Sequence, residues 1–313
     1  MIVGKFAFLF PGQGSQYIGM GHAFYQSFPE ARDLFDQADS LLGFSISSLC
    51  FHGPEELLKA TENAQPALYI SSMAALSAFR AHCNREPDAT AGHSVGEYAA
   101  LTAAGALSFE EGVLLVRKRG ELMRDASEQR PGTMAAILGS RLESLQAACR
   151  EASNPGIVSI ANINSDAQIV ISGEPEAVRK ASEIALVNGA KRAIPLNVSG
   201  GFHSPLMVTA GDALYEFLSH AAWRKPVCPV ISNIDAKYLE HPDDVVSALT
   251  RQVSGTVLWE PSIRRLLDDG FDTFIEIGSG NVLTSLMSRI SPESIALSVT
   301  DPASMKIAIS ILQ

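Results

Sequence analysis

Cysteine is scarce in this chain and never clustered. Cys50, Cys83, Cys149 and Cys228 stand far apart, with no Cys-x-x-Cys pair and no histidine at metal-ligand spacing, so a disulfide framework and a zinc site are both unsupported. Reduced, buried or idle thiols are expected. Long apolar runs are missing as well: none reaches transmembrane length. The opening Met1-Ile2-Val3-Gly4-Lys5-Phe6 is interrupted by Pro11 and Gly12 too soon for a signal peptide, so a soluble cytoplasmic protein is expected. Positive charge is in deficit. Against 34 Asp and Glu there are only 24 Lys and Arg, scattered rather than banked, and the net charge of −10 argues against nucleic acid as the principal partner. Repeats, low-complexity tracts and heptads are absent too.

What the chain does have is apolar content. With 313 residues, 46% of them hydrophobic, it can bury an ample core and form one large domain with an insert or two modest domains. Short apolar segments alternate with longer amphipathic ones. Residues 5–10 read as a strand, 65–82 as a helix, and 88–92 as a short strand feeding a helix over 95–104. Further buried strands are expected at 228–232, 273–277 and 295–298. The alternation implies an α/β fold with a largely parallel sheet covered by helices. Between about 133 and 198 the rhythm changes to strand 134–138, helix 142–152, strands 158–162 and 168–172, helix 176–188 and strand 192–197. That βαββαβ order is ferredoxin-like and predicts a small inserted subdomain. Pro131-Gly132 leads into it and Ser199-Gly200-Gly201 leads out, and the cleft between the two bodies is the first place to look for a site.

Gly92-His93-Ser94-Val95-Gly96 matches G-x-S-x-G, and a short strand precedes it while an Ala-rich helix follows. In that setting the serine sits on a tight, strained turn at a helix N-terminus, where free amides and the helix dipole favour developing negative charge. Serine is also a good ordinary helix cap, but the strand–turn–helix context favours a nucleophile. A hydroxyl nucleophile needs a base. Of the seven histidines, His52 and His241 adjoin turns, His82 and His220 fall at helix ends, and His93 should diverge from its neighbour at a tight elbow. His203, in Ser199-Gly200-Gly201-Phe202-His203-Ser204, lies where the chain returns from the insert and is the favoured base. No motif surrounds Glu151 or Glu183, the carboxylates available as a third member, and a backbone carbonyl would orient the ring equally well.

Five motifs stand in order along the chain: Phe10-Pro11-Gly12-Gln13-Gly14-Ser15-Gln16, Gly92-His93-Ser94-Val95-Gly96-Glu97-Tyr98, Lys118-Arg119-Gly120 with Met123, Gly201-Phe202-His203-Ser204 and Glu276-Ile277-Gly278-Ser279-Gly280. On these the chain resembles, over its whole length, the malonyl-CoA:acyl carrier protein transacylases and the related acyltransferases of polyketide synthesis. The resemblance implies an α/β-hydrolase-like catalytic domain, residues 1–130 and 199–313, interrupted by the ferredoxin-like subdomain 131–198. It implies that Ser94 is acylated, that His203 is the base, and that the backbone carbonyl of Gln252 orients it. The main-chain amides of Gln13 and Val95 would form the oxyanion hole. Gly12-Gln13-Gly14 is not a dinucleotide loop, since Tyr17 stands where the third glycine would be.

Arg119, which spacing alone would leave on a solvated helix face, becomes the ligand of the acyl carboxylate, bound through two parallel hydrogen bonds. Phe202 resembles the bulky choice that rejects an α-methyl branch, a discrimination limited to about 1–3 kcal/mol. Met123 and Asn162 are further pocket candidates, equally readable as packing. The implied reaction is ping-pong transfer from malonyl-CoA to the phosphopantetheine thiol of an acyl carrier protein. No metal, permanently bound cofactor or membrane is expected, and a monomer is the default. An acidic carrier would need local cations on this acidic chain, and Lys191, Arg192 and Arg289 are candidates. A trans-acting polyketide acyltransferase, an editing acyl hydrolase, a serine thioesterase and a non-catalytic carrier-binding protein are the rival readings. Three positions depart from the family pattern: Val95 for leucine, Thr256 for proline and Ser279 for proline. Thr256 is expected to affect the loop that bears Gln252.

Overall fold

The strand β1 (Lys5–Phe10) carries five consecutive apolar residues, and its alternate side chains feed two different cores. Phe6, Phe8 and Phe10 enter the largest apolar cluster, while Ala7 and Leu9 enter a second cluster on the opposite face. A strand buried on both faces belongs in the middle of a parallel sheet. The computed structural model, which describes residues 4–154 and 156–313, puts it there; Met1-Ile2-Val3 of the opening segment lie outside the described residues.

Along the chain follow β2 (Ala89–Gly92), β3 (Thr133–Leu138), β4 (Val158–Ser165), β5 (Gln168–Gly173), β6 (Arg192–Pro195), β7 (Val230–Ile231), β8 (Tyr238–Leu239), β9 (Phe271–Ile277) and β10 (Ile295–Val299). The large sheet has the order β10-β9-β1-β2-β7-β8. Its pairs are parallel except for the terminal β7–β8 hairpin. The fold is therefore α/β with a mostly parallel sheet. The expected strand at 228–232 shrinks to Val230–Ile231, and β8 was not foreseen, because two residues leave no periodicity to read.

The second sheet, β4-β5-β3-β6, is antiparallel, and its order and two helices, Leu142–Ala152 and Pro175–Val187, are ferredoxin-like. Ala135 and Ile137 face those helices, whereas Met134, Ala136 and Val170 on the other face join the main core. The second sheet is also stitched by main chain to the segment before helix Trp259–Asp268. Ile163 N–H donates to the Val257 carbonyl at 2.9 Å, and Val257 N–H donates to Ala161 at 2.8 Å. The Thr256 hydroxyl donates to the Ile160 carbonyl at 2.7 Å, a bond a proline there could not make.

Two long helices bring the site together. Helix Thr61–His82 starts a turn earlier than the apolar pattern suggests and contains Pro66. Proline has no N–H for the Glu62 carbonyl, and Arg117 Nη1 supplies a donor to that oxygen at 2.9 Å, so the first turn survives. Helix Phe109–Gln129 packs against it closely because Gly120 has no side chain: a Cβ there would lie 2.7 Å from Glu62 Cα. Among the described residues no helix is long and apolar enough to cross a membrane.

Candidate active site

β2 ends at Gly92 and helix Gly96–Ala103 begins four residues on, with Ser94 at the apex. Ser94 has φ 53°, in the left-handed region that side chains avoid, at a cost of about 1–3 kcal/mol. Its flanking glycines serve space. A Cβ on Gly92 would lie 1.9 Å from the Gly96 carbonyl oxygen, and one on Gly96 would lie 2.2 Å from that of Phe10. Three hydrogen bonds hold the strained turn. Ser94 N–H donates to Asn233 Oδ1 at 2.7 Å, Asn233 Nδ2 donates to Gly92 O at 2.7 Å, and Gln252 Nε2 donates to Ser94 O at 3.0 Å.

His203 Nε2 lies 2.8 Å from Ser94 Oγ, and His203 Nδ1 lies 2.8 Å from the carbonyl oxygen of Gln252. A carbonyl only accepts, so Nδ1 carries the proton and the Nε2 lone pair faces the serine hydroxyl. His203 is itself left-handed, with φ 58°, and buried. Burial, then the nearby Arg119 cation, depress its basicity to about 3, so the ring is neutral in the resting site. His93 takes another direction. Its Nε2 is 2.9 Å from Asn164 Oδ1 on β4, its ring rests against Trp259, and burial lowers its pKa.

Arg119 is 1% exposed, although it lies in a charged stretch of sequence. Its Nη1 donates to Gln65 Oε1 at 2.6 Å, and its Nη2 donates to Gln252 Oε1 at 2.9 Å and to Ser94 Oγ at 3.1 Å. All three acceptors are neutral, and among the described residues the guanidinium makes no ion pair and its Nε has no acceptor. A buried cation whose direct contacts are all dipoles is costly, and an incoming carboxylate relieves that cost. Ser94 Oγ thus sits between a donor, Arg119, and an acceptor, His203.

The loop after β1 closes the other side: a Cβ on Gly12 would lie 2.4 Å from the His93 carbonyl oxygen. Among the described residues neither the Gln13 nor the Val95 amide meets a protein acceptor, so both donors are free beside the elbow. The structure therefore brings Ser94, His203, Gln252 and Arg119 into hydrogen-bonding contact. Met123 stands one step away, its sulfur accepting from Gln65 Nε2 at 3.4 Å. Phe202 is buried in the main core beside His203, and Asn162 sits at a backbone bridge to Val257. Lys191 and Arg192 are exposed at β6, and Arg289 on helix Val282–Ile290. Among the described residues no cluster of His, Cys, Asp or Glu is arranged to hold a metal ion.

Sequence reasoning missed Gln65, Glu97, Asn233 and the side chain of Gln252. Glu97 stands inside the serine motif. Gln65 and Gln252 were detectable only as polar residues on helix faces that are otherwise apolar.

Residues 7–300 match the family described as acyl transferase domain. A malonyl CoA-acyl carrier protein transacylase of Bacillus subtilis (strain 168) is 47% identical over 310 residues, covering 99% of this chain and 98% of that protein. The crystal structure of an acyl-carrier-protein S-malonyltransferase from Burkholderia pseudomallei 1710b is 41% identical, with a TM-score of 0.94 over 98% of this chain and 99% of that one. A type II PKS acyl-carrier protein in complex with its malonyl-transacylase gives a TM-score of 0.96 at 39% identity, over 98% and 99% of the two chains.

Proposed function

The chain belongs to the acyl transferase domain family, among the malonyl CoA-acyl carrier protein transacylases, and on that premise we propose that it moves a malonyl group from malonyl-CoA to the phosphopantetheine thiol of an acyl carrier protein. One observation carries the choice of acyl group: the buried Arg119 guanidinium, with no carboxylate in direct contact among the described residues, lies 3.1 Å from Ser94 Oγ. A simple esterase has no use for such a cation. At a few ångströms, in a site of effective dielectric near 20, one carboxylate on it gains on the order of 4 kcal/mol.

In the first half-reaction His203 Nε2 takes the Ser94 proton as Oγ attacks the thioester carbonyl, and the Gln13 and Val95 amides receive the oxyanion. The tetrahedral intermediate collapses, the C–S bond breaks, and coenzyme A leaves as the thiol with the proton from His203. The carrier thiol then repeats the steps in reverse. Arg119 holds the acyl terminus in one pose, and a nucleophile only 8% exposed keeps water a poor competitor. No resident cofactor is needed. The same reading takes residues 131–198 as an inserted subdomain forming one wall of the site, and the protein as a cytoplasmic monomer.

The test mixes the protein with labelled malonyl-CoA and holo carrier protein. Label on the carrier through a Ser94 ester supports transfer, and label released as free malonate shows a hydrolase. Arg119→Ala is expected to lower kcat/KM for malonyl transfer by roughly 10²- to 10³-fold while sparing or improving acetyl transfer. Equal loss for both acyl groups refutes the role of Arg119.

A further inference from the structure

Glu97 is fully buried one helical turn beyond the nucleophile and takes no part in the transfer proposed above. Its Oε2 accepts from Gln252 Nε2 at 2.7 Å and from Asn233 N–H at 3.1 Å, while Oε1 has no partner among the described residues. On the far side of the same Gln252 amide, Oε1 accepts from Arg119 Nη2 at 2.9 Å. A single primary amide therefore lies between a buried cation and a buried carboxyl group, oriented by both.

We propose that Glu97 is the resident counter-charge of Arg119, acting through the Gln252 amide, and that it takes up a proton from solvent when a malonyl carboxylate occupies the guanidinium. The proposal rests on the malonyl reading of the site. At rest, above about pH 7, one cation and one anion leave the closed site neutral. A bound malonyl group adds a second anion to one cation where water cannot screen them, and two anions there disfavour each other. The anion easiest to neutralise is the one with an empty oxygen, and that is Glu97.

The surrounding groups leave Glu97 free to play this part. Burial pushes its carboxyl up to about 7, against the pull of the Gln252 and Asn233 donors and of Arg119. On its own helix the Tyr98 phenol is pushed up by burial. Facing it from other elements, His203 is neutral, Arg119 keeps its charge, and Asp235 is held low by its ion pair with Arg251. Gln252 couples this carboxyl to the base as well, since its carbonyl accepts from His203. Glu97 is thus a positioning and charge-balancing residue, reaching the acyl group through Gln252 and Arg119.

Acylation itself conserves protons. The Ser94 O–C bond forms, the C–S bond breaks, and the hydroxyl proton departs with coenzyme A, whose thiol ionises in solution identically whichever acyl group it carried. Any difference in proton count between a charged and an uncharged acyl group therefore belongs to the site.

The whole enzyme is mixed with stoichiometric malonyl-CoA or acetyl-CoA in weak buffer containing a pH indicator, and the acyl adduct is counted by intact mass. Malonylation is expected to take up about one proton per site more than acetylation near pH 8, and almost none more near pH 6, where Glu97 already holds its proton. Correspondingly, KM for malonyl-CoA should rise with pH across this range, and KM for acetyl-CoA should not. In Glu97→Gln, whose amide oxygen can accept the same two bonds, the excess proton and the pH dependence of KM are both expected to disappear. Equal proton counts for the two acyl groups in the wild-type enzyme near pH 8, or an excess that persists in the variant, would overturn the proposal. The wild-type comparison stands without any variant. A missing malonyl adduct in the mass measurement refutes the malonyl reading instead, and is seen separately from the proton count.

Discussion

Two strands flanking β1 end in turns that set a serine between glycines, and they use those residues in opposite ways. After β2 the chain runs Gly92-His93-Ser94-Val95-Gly96, and after β9 it runs Gly278-Ser279-Gly280. At the second turn the glycines carry the positive φ, 132° at Gly278 and 77° at Gly280, and the serine between them does not. Ser279 is buried, with Oγ 3.1 Å from Ser71 Oγ and 3.2 Å from Met20 Sδ. At the first turn the strain falls on Ser94, and the glycines let backbone approach backbone. The acidic residues diverge too. Glu276 accepts from the Leu283 and Thr284 amides and the Thr284 hydroxyl, fixing the start of helix Val282–Ile290, whereas Glu97 accepts from the Gln252 amide beside Ser94. A serine between glycines bears the unusual φ itself at the first turn and leaves it to its neighbours at the second.

The sharpest way to break this contrast is to remove each hydroxyl. Ser94→Ala should abolish the acyl adduct and lower transfer by at least ~10⁴-fold, while Ser279→Ala should leave transfer within about twofold. Intact mass and a transfer assay read both, and comparable losses would erase the distinction.

Next in size are the glycines. Gly96→Ala puts a Cβ 2.2 Å from the Phe10 carbonyl oxygen and must spread β1 from the elbow, so a loss of about 3 kcal/mol or more, with loss of acylation, is expected. Gly280→Ala meets only ordinary contact at 3.4 Å from Ser15, and its cost of about 1–2 kcal/mol comes from the left-handed φ alone. Denaturant unfolding of the two variants should separate them, and the reverse order would contradict the assignment of space and strain.

Smallest for catalysis is Glu276→Ala. Stripping a charged acceptor from three donors should cost about 2–3 kcal/mol of stability while kcat/KM of the folded enzyme stays near wild type. A selective fall in kcat/KM at unchanged stability would move Glu276 from scaffold to site.

The same contrast shows what was legible in the sequence. The elbow is written in adjacent residues, a short strand, two glycines and an Ala-rich helix, so Ser94 could be located by local pattern, whereas Gln13 was singled out only by the family resemblance. His203 stood out through the small residues of its loop. The α/β alternation and the βαββαβ rhythm were readable because each element spans several periods, whereas the two-residue β8 was not. Arg119 read as solvated from spacing alone. Its burial depends on Gly120 and Gly112, which let helix Phe109–Gln129 settle onto helix Thr61–His82, where a Cβ at Gly112 would lie 2.0 Å from Tyr69 Oη. Glu97, Asn233 and the Gln252 amide meet only across more than a hundred residues of chain, and no local pattern records that meeting.

The seam between β4 and the Thr256-Val257 segment has a mechanical consequence. Gln252, whose carbonyl fixes the His203 ring, lies just before that segment. Excising the small sheet would strip the Thr256 hydroxyl bond and both main-chain bonds of Val257 from the stretch that follows. The small sheet is a brace for the stretch that follows the carbonyl on which His203 rests.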